Sequence, residues 1–139
     1  MRKQPTLSPA LTRALRIDAV ASGAMGLLLA IDAGALQSML GLPTPLLRGA
    51  GLFLVPFAAA LLALAPRSGR APGLVRLIVA GNVLWIVASI ALVAATSGSI
   101  TLLGELFVLG QAVAVGLFVY LESRAIRDSR PPLAPGRPA

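Results

Sequence analysis

Neither cysteine nor histidine occurs among the 139 residues. Their absence removes disulfides, thiol redox chemistry, histidine-ligated haem, cysteine-held iron–sulfur clusters and the usual zinc sites together. Charge is also scarce: 12% of residues carry it, against about 25% in a typical soluble domain. Acids are the rarest charges, only five in number: Asp18, Asp32, Glu105, Glu122 and Asp128. Aromatic residues make up 4%. No nucleophile–base pair, metal-ligand set or cofactor motif is present, so the reading is a non-enzyme with no cofactor. The formal charge of +7 is not read as a nucleic-acid surface. The arginines sit in short segments between apolar runs and are not set among aromatics along a helix face. Such segments orient membrane spans and meet anionic lipid head groups.

What the chain has is hydrophobic length. Hydrophobic residues make up 57%, and they gather in four runs, at about 14–36, 46–65, 74–95 and 102–121. Each is near the ~20 residues that cross a ~30 Å hydrocarbon core. The expected fold is all-α, a polytopic transmembrane four-helix bundle with helices at about residues 9–38, 46–65, 73–96 and 101–123. Residues 1–123 then form one membrane domain, and the polar Pro/Arg-rich tail 124–139 is expected to be disordered. A signal peptide fits the first run poorly, because three more spans follow it and no small-residue cleavage site precedes a soluble domain. "SPAL" (residues 8–11) reads as a helix start, with Ser8 as N-cap and Pro9 at the first helical position. "GLPTPLL" (41–47), "APRSGRAPG" (65–73) and "TSGS" (96–99) read as the breaks. Pro56 is expected to kink the second span.

With four spans, the basic residues divide eleven against one. Arg2, Lys3, Arg13, Arg16, Arg67, Arg70, Arg76, Arg124, Arg127, Arg130 and Arg137 fall on one side, and Arg48 alone falls on the other. The positive-inside rule then puts both termini in the cytoplasm. The expected location is the bacterial cytoplasmic (inner) membrane.

Polar groups inside spans mark inward faces, because lipid offers them no partner. At ~100° per residue, Asp18, Ser22, Met25, Leu29 and Asp32 share one stripe of the first helix. Asp32, Arg48 and Glu105 fall at one depth on the arginine-poor side. They form a candidate polar cluster, either an ion pair that fixes helix order or a titrating vestibule. Asn82 and Gln111 meet near mid-depth as a candidate interhelical hydrogen bond. At the other end Arg76 is placed to pair with Asp18 or Glu122. Gly49, Pro56, Ala60 and Ala63 form a ridge of small residues expected to pack against a neighbouring helix.

"LLRGAGLFLVPFAAALLALA" (46–65) and "IVAGNVLWIVASIALV" (78–93) resemble stretches of small bacterial four-helix membrane proteins of the DoxX-like group. The resemblance covers the three later spans and rests on general patterning. It implies a compact inner-membrane bundle. Some members of that group accompany quinone-linked sulfur oxidation as accessory subunits, and most have no assigned function.

Three function classes follow. A non-catalytic subunit or assembly partner of a membrane complex suits short loops and missing reactive groups best. A small transporter or channel working through Asp32, Arg48 and Glu105 is the first alternative. A quinone-linked oxidoreductase accessory protein is the second. The expected partners are the bilayer and a larger membrane protein or further copies of the chain, with no nucleic acid.

Overall fold

A computed structural model describes residues 9–70 and 72–128, the side chains of residues 68–70 excepted. The fold is all-α, with helices α1 (Pro9–Ile31), α2 (Ala33–Leu40), α3 (Thr44–Leu64), α4 (Pro72–Thr96) and α5 (Leu102–Asp128). A 3₁₀ segment, Ala65–Arg70, joins α3 to α4. Four helices, α1, α3, α4 and α5, are long and apolar enough to cross a membrane. Ser8, the first eight residues and the tail 129–139 lie outside the described residues.

The helix ends follow from local chemistry. Gly41 takes the left-handed conformation (φ 72°), and its N–H closes α2 on the Gln37 carbonyl at 2.8 Å. A side chain there would be strained by that φ, and its Cβ would also lie 3.0 Å from the Thr101 backbone nitrogen. The Gln37 side-chain oxygen accepts from the backbone N–H and the hydroxyl of Thr44, which ties α2 to the start of α3. Thr101 joins the same region to α5. Its hydroxyl accepts from the Gly104 N–H at 3.0 Å and donates to the Met39 carbonyl at 2.8 Å. It thereby caps α5 and holds α2 against it.

Two boundaries differ from expectation. The first apolar run is broken at Asp32, which has φ −101° and ψ 19°, outside the helical region. The break redirects α2 so that Leu40 packs against Gly104, where an added Cβ would collide with the Leu40 carbonyl. At the other end, α5 runs five residues past 123, to Asp128. Those residues have something to bury: Ala125 joins Leu11, Leu15, Leu61 and Val75 in an apolar cluster, and Ile126 packs against it. Pro56 lies within α3, which continues through it.

The expected ridge on the second span is corrected as well. Gly49, Pro56 and Ala60 are exposed, and the buried face is Leu47, Gly51, Leu54, Ala58 and Leu61. Apolar side chains gain little by leaving lipid for each other, so close backbone approach decides which face packs. A Cβ on Gly51 would lie 2.6 Å from the Gly26 carbonyl oxygen and would collide with the Ala30 nitrogen. The α1 and α3 backbones are thus in direct contact. The helix pairs are unequal. α1 packs on α3 and α4 on α5, and α1 also meets α5. No Cα of α4 comes within 8 Å of α1 or α3. Side chains span that gap: Phe53 stacks between Phe57 and Trp85, with ring centroids 6.0 and 6.1 Å apart.

One apolar cluster gathers the start of α1, the end of α3, the start of α4 and the end of α5. Both described ends of the chain therefore lie at the same end of the bundle. The side chains of Arg13, Arg16, Arg67, Arg76, Arg124 and Arg127 belong to that end, and Arg48 to the opposite one.

Candidate functional site: a buried carboxyl pair

Four polar side chains are buried among the described residues, Asp18, Asn82, Ser89 and Glu122, and three of them meet. Asp18 comes from α1, Asn82 from α4 and Glu122 from α5. Asp18 is 1% exposed and Glu122 0%. Asp18 accepts two hydrogen bonds: Ser22 Oγ donates to Oδ1 at 2.8 Å, and Asn82 Nδ2 donates to Oδ2 at 3.1 Å. Ser22 is one turn from Asp18, so the i,i+4 spacing alone places that hydroxyl. The Asn82 bond crosses between helices whose backbones do not touch, and it is the polar tie of α4 to α1.

Glu122 faces Asp18 from α5. Taken as a bare carboxylate, however, neither of its oxygens has a donor. No arginine lies within 4.0 Å of either carboxyl among the described residues, where the single ion pair is the exposed Arg124–Asp128 contact. An apolar layer that includes Leu15, Val75 and Ala125 lies on the arginine side of the pair. Two ionised carboxylates in such a place would repel each other without compensation, a cost of several kcal/mol. A proton shared between them would supply the missing donor. Among the described residues no three acids gather as a metal-binding group.

Two apolar crevices open on the bundle, and the first reaches the pair through Ser22. One, of about 400 Å³, opens between α1 and α5 and is lined by Ser22, Met25, Leu106, Phe107 and Phe118. The other, of about 360 Å³, opens where α4 stands off α3 and is lined by Leu46, Ala50, Ala88, Ser89 and Leu92. Trp85, Phe107 and Gln111 line both. Ser22 thus touches the first crevice with one side and Asp18 with the other. Asn82 lines a separate small void of about 50 Å³ together with Ser22 and Trp85.

The expected site residues therefore redistribute. The cytoplasmic-side ion pairs do not form: Arg76 is exposed and has no partner among the described residues, while Asp18 and Glu122 turn inward to each other. The Asn82–Gln111 hydrogen bond does not form either, since Asn82 is drawn to a carboxylate, a stronger acceptor than an amide. The Asp32–Arg48–Glu105 cluster is not assembled. Asp32 and Arg48 are exposed, Glu105 is half-buried, and no contact within 4.0 Å joins them. Each follows or precedes a buried residue (Ala33, Leu47, Gly104) that takes the inward face and turns the charge outward. Glu105 instead sits in the first turn of α5, where a negative charge suits the helix dipole.

The molecule is thus an all-α bundle with four membrane-length helices around a carboxyl pair. No family model, curated protein or solved structure gives a significant match to the chain.

Proposed function

We propose that the chain is a non-enzymatic, multi-pass protein of a bacterial cytoplasmic membrane. In this reading both termini face the cytoplasm and an exchangeable proton is held between Asp18 and Glu122. The observation that carries it is Glu122, fully buried with both oxygens lacking a donor and no cation within 4.0 Å among the described residues. Ionisable groups inside membrane bundles are costly, and where they persist they mark proton relays and substrate paths. The excess of arginine at one end supports the orientation.

The crevices supply the second half of the reading. A molecule arriving from lipid enters beside Ser22 and stops one side chain short of Asp18. Only a cation gains when the pair gives up its proton, so the fitting occupant is a lipid-soluble cation taken up against a proton. The polar cluster expected at the opposite end is replaced in this role by the carboxyl pair. The test is a proteoliposome assay with tetraphenylphosphonium as probe, reading proton release on probe binding. Wild-type protein should release protons and Glu122→Gln should release none. Equal release from both, or none from wild type, overturns the reading.

A second reading keeps the chain as a non-catalytic subunit or assembly partner of a larger membrane complex, which its short loops and lack of reactive groups suit. The observation favouring it is α4, of which 11% of the spanning window is buried within the chain, against 33% for α1. Copurification of one stoichiometric larger partner in mild detergent would support it, and its absence would argue against it.

A further inference from the structure

At the arginine-rich end, α4 and α5 part to leave a cleft of about 340 Å³ lined by Arg76, Val79, Ser123, Ile126 and Arg127. Its chemistry is lopsided. Two guanidinium groups from different helices face one space, and neither has a hydrogen bond or ion pair among the described residues. The carboxylates that might have neutralised them are engaged elsewhere. Glu122, one residue from Ser123, is fully buried toward Asp18, and Asp128 contacts Arg124 at 4.0 Å. Like charges converging on one cleft repel, and an anion between them removes that cost. Arginine also presents a planar fork of donors that matches a phosphate in two-point contact. Ser123 adds a hydroxyl donor at the same place.

The apolar lining decides the kind of anion. Val79 lies one turn further into α4 than Arg76, toward the interior of the span, while Ile126 is half-buried beside Arg127 at the depth of the arginines. A free phosphate has no use for either. A phospholipid has, because its head group and its first acyl carbons lie at these two successive depths. Basic pockets between transmembrane helices are the recurring form of such sites. We propose that this cleft is a binding site for the phosphate of an anionic phospholipid, with Arg76 and Arg127 as the phosphate clamp, Ser123 as third donor, Ile126 flanking the head group, and Val79 one turn deeper against the first acyl carbons.

The experiment uses the full chain in phosphatidylcholine nanodiscs doped with spin-labelled phosphatidylglycerol and reads the protein-associated fraction of the label. Wild-type protein should hold phosphatidylglycerol in preference to a spin-labelled phosphatidylcholine. The preference should fall about fivefold for each arginine removed in Arg76→Gln and Arg127→Gln, as expected for one cationic contact near the surface. Arg48→Gln, at the opposite end, and Arg16→Gln, on α1 away from the cleft, should leave it unchanged. An equal fall in Arg16→Gln would show a general surface potential and overturn the site. So would displacement by inorganic phosphate without selectivity between the two lipids. Because all four substitutions are at exposed positions, helical circular dichroism should stay constant across the set. The carboxyl pair is absent from this cleft, so proton release from Glu122 and lipid retention at Arg76 stand or fall separately.

Discussion

The two ends of the bundle receive similar ingredients and use them in opposite ways. One end holds Asp32 and Glu105 beside a single arginine, Arg48, and leaves all three apart and at least partly open. The other holds Asp18 and Glu122 near many arginines and buries both carboxyls, with no arginine of the described residues within 4.0 Å of either. Charge supply therefore does not predict pairing. The helix face does. Leu47 and Gly104 occupy the inward positions at the first end, and their charged neighbours turn outward at no cost, since exposed charges near a membrane boundary can reach water. At the second end Asp18 and Glu122 themselves hold the inward positions, so the polar groups that join Asp18 come from the interior: Ser22 and Asn82.

The packing shows the same contrast between halves. α1 and α3 touch through glycine, while α4 leans on α5 and reaches α1 through one side-chain hydrogen bond. The largest expected effect is therefore on the tight half. Gly51→Val drives side-chain atoms into the α1 backbone and should cost about 3 kcal/mol or more, read as loss of a monodisperse detergent-solubilised species. Gly49→Ala, where nothing lies within 4 Å of an added Cβ, should leave that species intact. Next comes Asp18→Ala, which strands the Asn82 amide and the Glu122 carboxyl in the interior. A loss of about 1–3 kcal/mol should appear in chemical denaturation from mixed micelles. Asn82→Ala should cost roughly 0.6 kcal/mol, the average for an interhelical hydrogen bond in lipid. Its sharper signature is a wider α4–α1 separation, measured between spin labels at the ends of the two helices. The smallest effects belong to the open end. Arg48→Ala and Asp32→Ala should each change stability by less than about 0.5 kcal/mol. A larger loss from either in the same denaturation series would show that these charges interact after all.

How much of this was legible in the residues follows the same division. The four spans and their breaks were, because long apolar runs and the Gly/Pro segments at 41–47, 65–73 and 96–99 are local signals. The shared stripe of Asp18 and Ser22 was legible for the same reason, as both sit on one helix. Partners across helices were not. Asn82 marks an inward face of its helix, but nothing in the sequence says that Asp18 and not Gln111 is its partner. The break at Asp32 was hidden by the unbroken hydropathy on either side of it. The extension of α5 was hidden because Arg124, Arg127 and Asp128 look like tail, although Ala125 and Ile126 between them are core. Gly51 was passed over for the small residues around it, since its role depends on the Gly26 backbone opposite.

The central claim is that Asp18 and Glu122 share a proton inside the bundle. Infrared difference spectroscopy of the chain in lipid at neutral pH tests it most directly, through the C=O stretching band that only a protonated carboxyl gives. Wild-type protein should show that band, shifted to lower frequency in deuterium oxide as the shared proton exchanges. Glu122→Gln should abolish it, since the new amide can donate to Asp18 and remove the need for a shared proton. A wild-type spectrum without the band, or a band unchanged in Glu122→Gln, would contradict the claim.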